Sequence, residues 1–160
     1  MQTKLLLTIL FLASNIIFAQ TKTIRNKEFT NINEAMKKPE MVYILNLSNQ
    51  DVNALEIEWS KFINIEYLNL RNDGLNIIPP AITKLKTLKI IDLSGNTFES
   101  LPSDFSNLTQ LEEVFLNDRK DANLPKTLNI LAKLPNLKSL HLENDGLKLI
   151  PDEILFFKKS

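Results

Sequence analysis

The chain has 160 residues, 24% of them charged and 44% hydrophobic, with lysine plus arginine balancing aspartate plus glutamate at 19 each. This is a globular composition, and without a basic stripe it argues against nucleic acid or a membrane surface as partner. No cysteine occurs, so no disulfide is available and packing alone must hold the fold.

Residues 1–19 read as a signal peptide. Lys4 supplies a positive start, Leu5 to Ala13 form an apolar core broken only by Thr8, and Ile17-Phe18-Ala19 before Gln20 resembles a cleavage site. The apolar stretch is too short and too broken for a membrane span, although an uncleaved anchor is the alternative. Cleavage near Ala19 would leave an exported chain, periplasmic or extracellular, with no membrane insertion. The Asn-, Lys- and Ile-rich loops and the form of the signal point to a bacterial source.

Residues 20–28 are polar and read as a flexible segment. Residues 29–41 form an N-terminal cap: Phe29, Ile32 and Met36 precede Val52, Leu55 and Trp59 by 23 residues each, giving half of a repeat without its strand. Asn31 followed by Glu34 is a capping box, which predicts a short helix from Asn31 to Lys38, stopped at Pro39.

The repeat itself fills residues 42–157 in five copies, with 158–160 as a tail. One apolar column reads Val42, Ile65, Leu88, Leu111, Leu137; the next reads Leu45, Leu68, Ile91, Val114, Leu140. Two residues on come Leu47, Leu70, Leu93, Leu116 and Leu142, and Pro79, Pro102, Pro125 and Pro151 mark a later column. The period is 23 residues, then 26 between the fourth and fifth copies. Apolar-x-apolar, as in Leu45-Asn46-Leu47, has period two and reads as a short strand with one buried face. After each proline, pairs such as Ile82/Leu85 and Phe105/Leu108 recur at i, i+3 and predict inward-packed helical or 3-10 turns. No single unit can bury its apolar side alone, so neighbours must stack.

The columns resemble the leucine-rich-repeat family, whose pattern L-x-x-L-x-L-x-x-N-x-L-x-x-L-P is cleanest from Leu88 to Pro102. The resemblance implies an α/β solenoid, a short right-handed horseshoe. It would have a parallel concave sheet of about five strands, with short helical or 3-10 segments on the convex side. It also implies a ladder of asparagine amides bonded to loop backbone. Here that column reads Gln50, Asp73, Asn96, Arg119, Asp145, and an ionised aspartate accepts but cannot donate, so a weakened ladder is expected.

The fourth copy departs furthest. Arg119 takes the amide position, Asp121 falls in an apolar column, and the outer segment is three residues longer. Leu128, Leu131 and Leu134 keep i, i+3 spacing, which predicts a helical turn there. The segment Asn117–Asn123 is either a tolerated insertion or a functional bulge. At the C-terminal end, Leu155-Phe156-Phe157 either folds over the last core face or forms a contact patch.

Nothing in the chain assembles a catalytic centre. There is no G-x-S-x-G, no glycine-rich phosphate loop and no H-E-x-x-H, and His141 is the only histidine. Asp73-Gly74 and Asp145-Gly146 occupy matching turns and read as turn chemistry, not a calcium loop. No metal, cofactor or catalytic residue is implied.

What remains is a surface. The outward columns are Ile44, Tyr67, Ile90, Glu113, Ser139; then Asn46, Asn69, Asp92, Phe115, His141; then Ser48, Arg71, Ser94, Asn117, Glu143. From these, Tyr67, Arg71, Ile90, Asp92, Phe115, His141 and Glu143 form the candidate concave binding face, a mixed aromatic and polar patch of the kind interfaces favour. In the alternative, Asn46, Asn69 and Asp92 stack across strands and merely solvate the sheet. The signal segment and the resemblance together imply an exported, monomeric protein-interaction module without catalysis. Its partner would be a protein or peptide, with a glycan as second choice. The competing readings are a self-assembling repeat protein and the repeat portion of a larger multidomain protein.

Overall fold

The computed structural model describes residues 25–119, 123–146 and 152–157. The signal segment 1–19 and Asp121 lie outside the described residues.

Six short strands form one parallel sheet in chain order: β1 (Glu28–Phe29), β2 (Ile44–Asn46), β3 (Tyr67–Asn69), β4 (Ile90–Asp92), β5 (Glu113–Phe115) and β6 (Ser139–His141). The last five are the expected copies. The first is additional, because the N-terminal half-repeat has a strand after all, with Glu28 facing Ile44 and Phe29 facing Leu45. It also ends the polar 20–28 segment one residue early. The 16-residue offset from β1 to β2 places it outside the 23-residue period.

Period-two alternation does what the columns require. Leu45, Leu68, Ile91 and Val114 point into the core and are fully buried, as are Leu47, Leu70 and Leu93. Their neighbours along each strand stay half-buried on the opposite face. In β6, the edge strand of the sheet among the described residues, Leu140 and Leu142 are only partly buried.

On the outer side the proline-led segments are 3-10 turns, as at Pro80–Lys84 and Ser103–Asn107, with Ile82, Phe105 and Leu108 wholly buried. Copy four differs as its extra length predicted. Its outer segment is an α-helix, Leu124–Leu131, whose N-terminus is held by Asn123 Oδ1 accepting from the Lys126 amide at 3.1 Å. That helix packs against the 3-10 turns Ser103–Asn107 and Asp152–Phe157. The side chains of Leu155–Phe157 lie outside the described residues.

In the N-terminal cap the helix α1 runs only from Ile32 to Ala35, and Pro39–Met41 continues as a 3-10 turn. Half of the capping box forms: Asn31 Oδ1 accepts from the Glu34 amide at 3.1 Å. The Glu34 carboxylate, instead of reaching back to Asn31, takes Lys27 Nζ at 3.0 Å.

Each of the strands β2 to β6 exits through one residue in the left-handed region: Asn49, Asn72, Gly95, Asp118 and Asn144, with φ between 57° and 67°. Asparagine, aspartate and glycine are the residues that tolerate this conformation. In copy three a Cβ on Gly95 would fall 1.8 Å from Asn72 Oδ1, so any larger residue there would displace the Asn72 side chain.

The next position along is the amide column. Asn96 fills it as the pattern demands. Its Oδ1 accepts from the Asp73 and Leu75 amides at 3.1 and 3.0 Å, and its Nδ2 donates to the carbonyls of Leu70, Leu93 and Ser94 at 2.8, 2.9 and 3.3 Å. Asp73 reproduces only the accepting half. Its Oδ1 takes the Gln50 amide at 2.9 Å, while Oδ2, where an amide nitrogen would sit, is buried without a hydrogen-bond partner. Burial raises the Asp73 carboxyl to about 6, only partly offset by the Gln50 and Asn49 amides that it accepts from.

Gln50 and Arg119 keep the donating half by other means. Gln50 Nε2 reaches the Thr30 carbonyl at 3.1 Å, tying copy one to the cap. The buried Arg119 guanidinium donates to the Phe98 carbonyl and lies 3.8 Å over the Phe98 ring, and burial lowers it to about 10. Asp145 Oδ1 in turn accepts from the Arg119 amide at 2.7 Å. The ladder expected to be weak is thus unevenly so, with buried atoms left unpartnered at Asp73 Oδ2 and at Arg119 Nε.

Candidate functional site

Strand register arranges the outward side chains in two rows across the sheet. The first runs Glu28, Ile44, Tyr67, Ile90, Glu113, Ser139 and the second Asn46, Asn69, Asp92, Phe115, His141. Tyr67 and Ile90 therefore stand side by side in row one, and Asp92, Phe115 and His141 in row two. All five are half-buried. Arg71 and Glu143 are exposed at the strand exits. Two residues assigned outward belong elsewhere: Ser94 is fully buried and Asn117 is 9% exposed. Each faces inward to bond backbone, Ser94 Oγ accepting from the Asn117 amide at 3.1 Å and Asn117 Oδ1 from the Glu143 amide at 2.8 Å.

Row two divides into a structural half and an open half. Asn46, Asn69 and Asp92 stand in register across β2, β3 and β4. Each Oδ1 accepts from the amide two residues on, those of Ser48, Arg71 and Ser94, at 3.1, 2.9 and 2.9 Å. These Asx-type bonds turn the chain out of the strand. Phe115 and His141 replace that chemistry with a stacked pair, ring centroids 4.0 Å apart and planes within 6°. His141 Nε2 lies 2.8 Å from Glu113 Oε1, so the imidazole is held flat on Phe115 by its row-one neighbour.

Row one is apolar at its centre. Ile44, Tyr67 and Ile90 floor a cleft of about 510 Å³, walled by Tyr43 and bounded at the rim by Arg25 and Lys89. Both cations turn to Glu66: Arg25 pairs with one oxygen while its guanidinium stands 5.4 Å over the Tyr43 ring, and Lys89 Nζ meets the other at 3.0 Å. Burial, then the negative field of Asp92, Glu28 and Glu113, raises the Tyr67 hydroxyl above its ordinary range. Tyr67 is thus a neutral phenol surrounded by carboxylates. Arg71 joins neither row; its guanidinium reaches past copy three to Asp118 Oδ2 at 2.9 Å and staples the exit edge.

Arg25, Glu28, Tyr43, Glu66 and Lys89 belong to the site and are absent from the sequence-derived face. The column one residue before row one carries the signal that finds three of them: Tyr43, Glu66, Lys89, Glu112 and Lys138 alternate in charge, and Lys138 pairs with Glu112 at 2.6 Å. Among the described residues, no group of histidine, aspartate and glutamate is placed to hold a metal ion, and no helix is long and apolar enough to cross a membrane.

The arrangement is an open cleft beside a stacked aromatic pair on a repeat scaffold. The sequence profile described as "leucine-rich repeat region" matches residues 27–154. The chain belongs to the leucine-rich-repeat family. Among solved structures it is similar to a leucine-rich-repeat protein of Leptospira interrogans, with 27% identity and a TM-score of 0.67 over 82% of this chain and 33% of that one. The chain thus spans about a third of the length of that protein. No curated protein matches. Leucine-rich-repeat domains typically serve as protein-interaction modules and non-catalytic scaffolds.

Proposed function

We propose that this leucine-rich-repeat chain is an exported module that binds a protein or peptide partner through its concave face and performs no catalysis. The observation that carries the reading is the contrast within the sheet. Leu45, Leu68, Ile91 and Val114 are committed to the core, and Asn46, Asn69 and Asp92 to turning the backbone. Ile44, Tyr67, Ile90 and Phe115 do neither, and they stand half-buried on the open side of the sheet. Aromatic anchors of this kind supply most of the energy in protein interfaces. Export rests on the signal-like segment 1–19, whose removal takes away only Lys4 among charged residues.

Site-specific photocrosslinking tests the binding face. A benzophenone side chain at Tyr67 is expected to capture a partner from extracts of the producing organism or its surroundings, and one at Ser103, exposed on the opposite side, to capture none. Capture from Ser103 alone would overturn the reading. N-terminal sequencing of the chain from its native source should begin at Gln20.

A further inference from the structure

The charges around the cleft carry the reading one step further, to the chemistry of the partner. Most acids at the sheet's edges already have a cation: Glu66 holds Arg25 and Lys89, Glu112 holds Lys138, and Asp118 holds Arg71. The three carboxylates on the face itself do not. Glu28 Oε1 accepts from Asn46 Nδ2 at 2.7 Å, Asp92 Oδ1 takes the Ser94 amide, and Glu113 Oε1 meets His141. Among the described residues, none of the three is paired with lysine or arginine.

Their positions in the register matter more than their number. Row one reads acid, isoleucine, tyrosine, isoleucine, acid, from Glu28 in β1 to Glu113 in β5. Four inter-strand steps separate the two acids, about 19 Å at the usual strand spacing. An extended peptide covers that distance in about six residues. The cleft also contains an intramolecular instance of such a contact: Arg25 lies on an aromatic ring, Tyr43, while pairing with a carboxylate, Glu66. Tyr67 stands next to Tyr43 in the sequence-repeat frame and has Glu28 and Asp92 nearby, with no cation of the chain stacked on its ring among the described residues.

Resting on the concave-face reading, we propose that row one receives an extended polypeptide segment of the partner, with an apolar centre on Ile44, Tyr67 and Ile90 and a lysine or arginine at each end, against Glu28 and Glu113. Apolar burial supplies the affinity, and the two acids select the segment and its placement. An acidic segment of the same apolar content is repelled.

Fluorescence anisotropy with three synthetic peptides tests this on the purified chain. One has lysines about six residues apart around an apolar, aromatic-containing centre; the second has glutamates in place of the lysines; the third keeps the lysines around a serine centre. The first is expected to bind about tenfold or more tightly than either other peptide, and to weaken as salt rises. Tyr67→Ala should weaken it by about tenfold. Glu28→Gln/Glu113→Gln, two substitutions outside the core, should remove the preference for lysine over glutamate while leaving the circular dichroism spectrum unchanged. Equal binding of the glutamate peptide, no binding of the lysine peptide, or a preference that survives Glu28→Gln/Glu113→Gln would overturn the proposal. Failure here is separable from failure of the concave-face reading. A partner crosslinked from Tyr67 whose captured segment is neutral or acidic contradicts the charge rule and keeps the face.

Discussion

The amide column just past the strand exits and row one on the concave face belong to the same repeats, and both vary from copy to copy. In the amide column four residue types fill five positions, yet all five bond backbone: Gln50 to Thr30, Asn96 to five groups, Arg119 to Phe98, Asp73 through one oxygen to Gln50, and Asp145 through one oxygen to Arg119. In row one, Ile44, Tyr67 and Ile90 vary with no backbone bond to preserve. Variation under a structural constraint therefore re-partners the same loops. Variation without that constraint is available to shape a surface. The comparison separates the residues that hold the array together from those that give it something to bind.

The sharpest way to break the comparison is at Asn96. Replacing it with alanine leaves two buried amides and three carbonyls without their side-chain partner, in the middle of an array whose copies support one another. Urea unfolding of Asn96→Ala should show a loss of about 4 kcal/mol. A loss below about 1 kcal/mol would mean that the column does not carry the fold.

Asp73 offers the opposite change. Its Oδ2 occupies the place of an amide nitrogen and has no partner, and its carboxyl is raised from 3.8 to about 6. A raised folded-state value means that ionisation opposes folding. The Asp73 contribution is present in full below about pH 3.8 and is lost as pH rises through 6. Asp73→Asn restores a donor that does not ionise. It should stabilise the chain by about 2 kcal/mol at pH 7, with the gain shrinking towards pH 4, as read by urea unfolding at the two pH values. A gain that does not depend on pH would assign the effect to something other than the carboxylate.

Much of this architecture is legible in the sequence because it is periodic. The columns at Leu45, Leu47 and Val42 name the core, the longer fourth copy foretells the helix Leu124–Leu131, and Tyr67, Ile90, Phe115 and His141 fall on the outward face as alternation requires. Strand β1 escaped because its offset from β2 is 16 residues instead of 23. Ser94 and Asn117 escaped because they lie past the strand ends, where alternation no longer governs which way a side chain turns. The Arg71–Asp118 pair is separated by 47 residues and skips a copy, which no nearest-neighbour column can show. Arg119 reads as a broken rung, since only the folded chain brings its guanidinium to the Phe98 carbonyl and ring.

The claim that fold and binding are carried by different faces is tested most directly by Tyr67→Ala/Phe115→Ala, followed in parallel by urea unfolding and by pull-down of the partner first identified by crosslinking. Both side chains are half-buried, and neither makes a hydrogen bond to the backbone among the described residues. The account predicts a stability within about 1 kcal/mol of the parent, in the range of surface substitutions, together with loss of the partner. A chain that unfolds readily, or one that keeps both its stability and its partner, would contradict it.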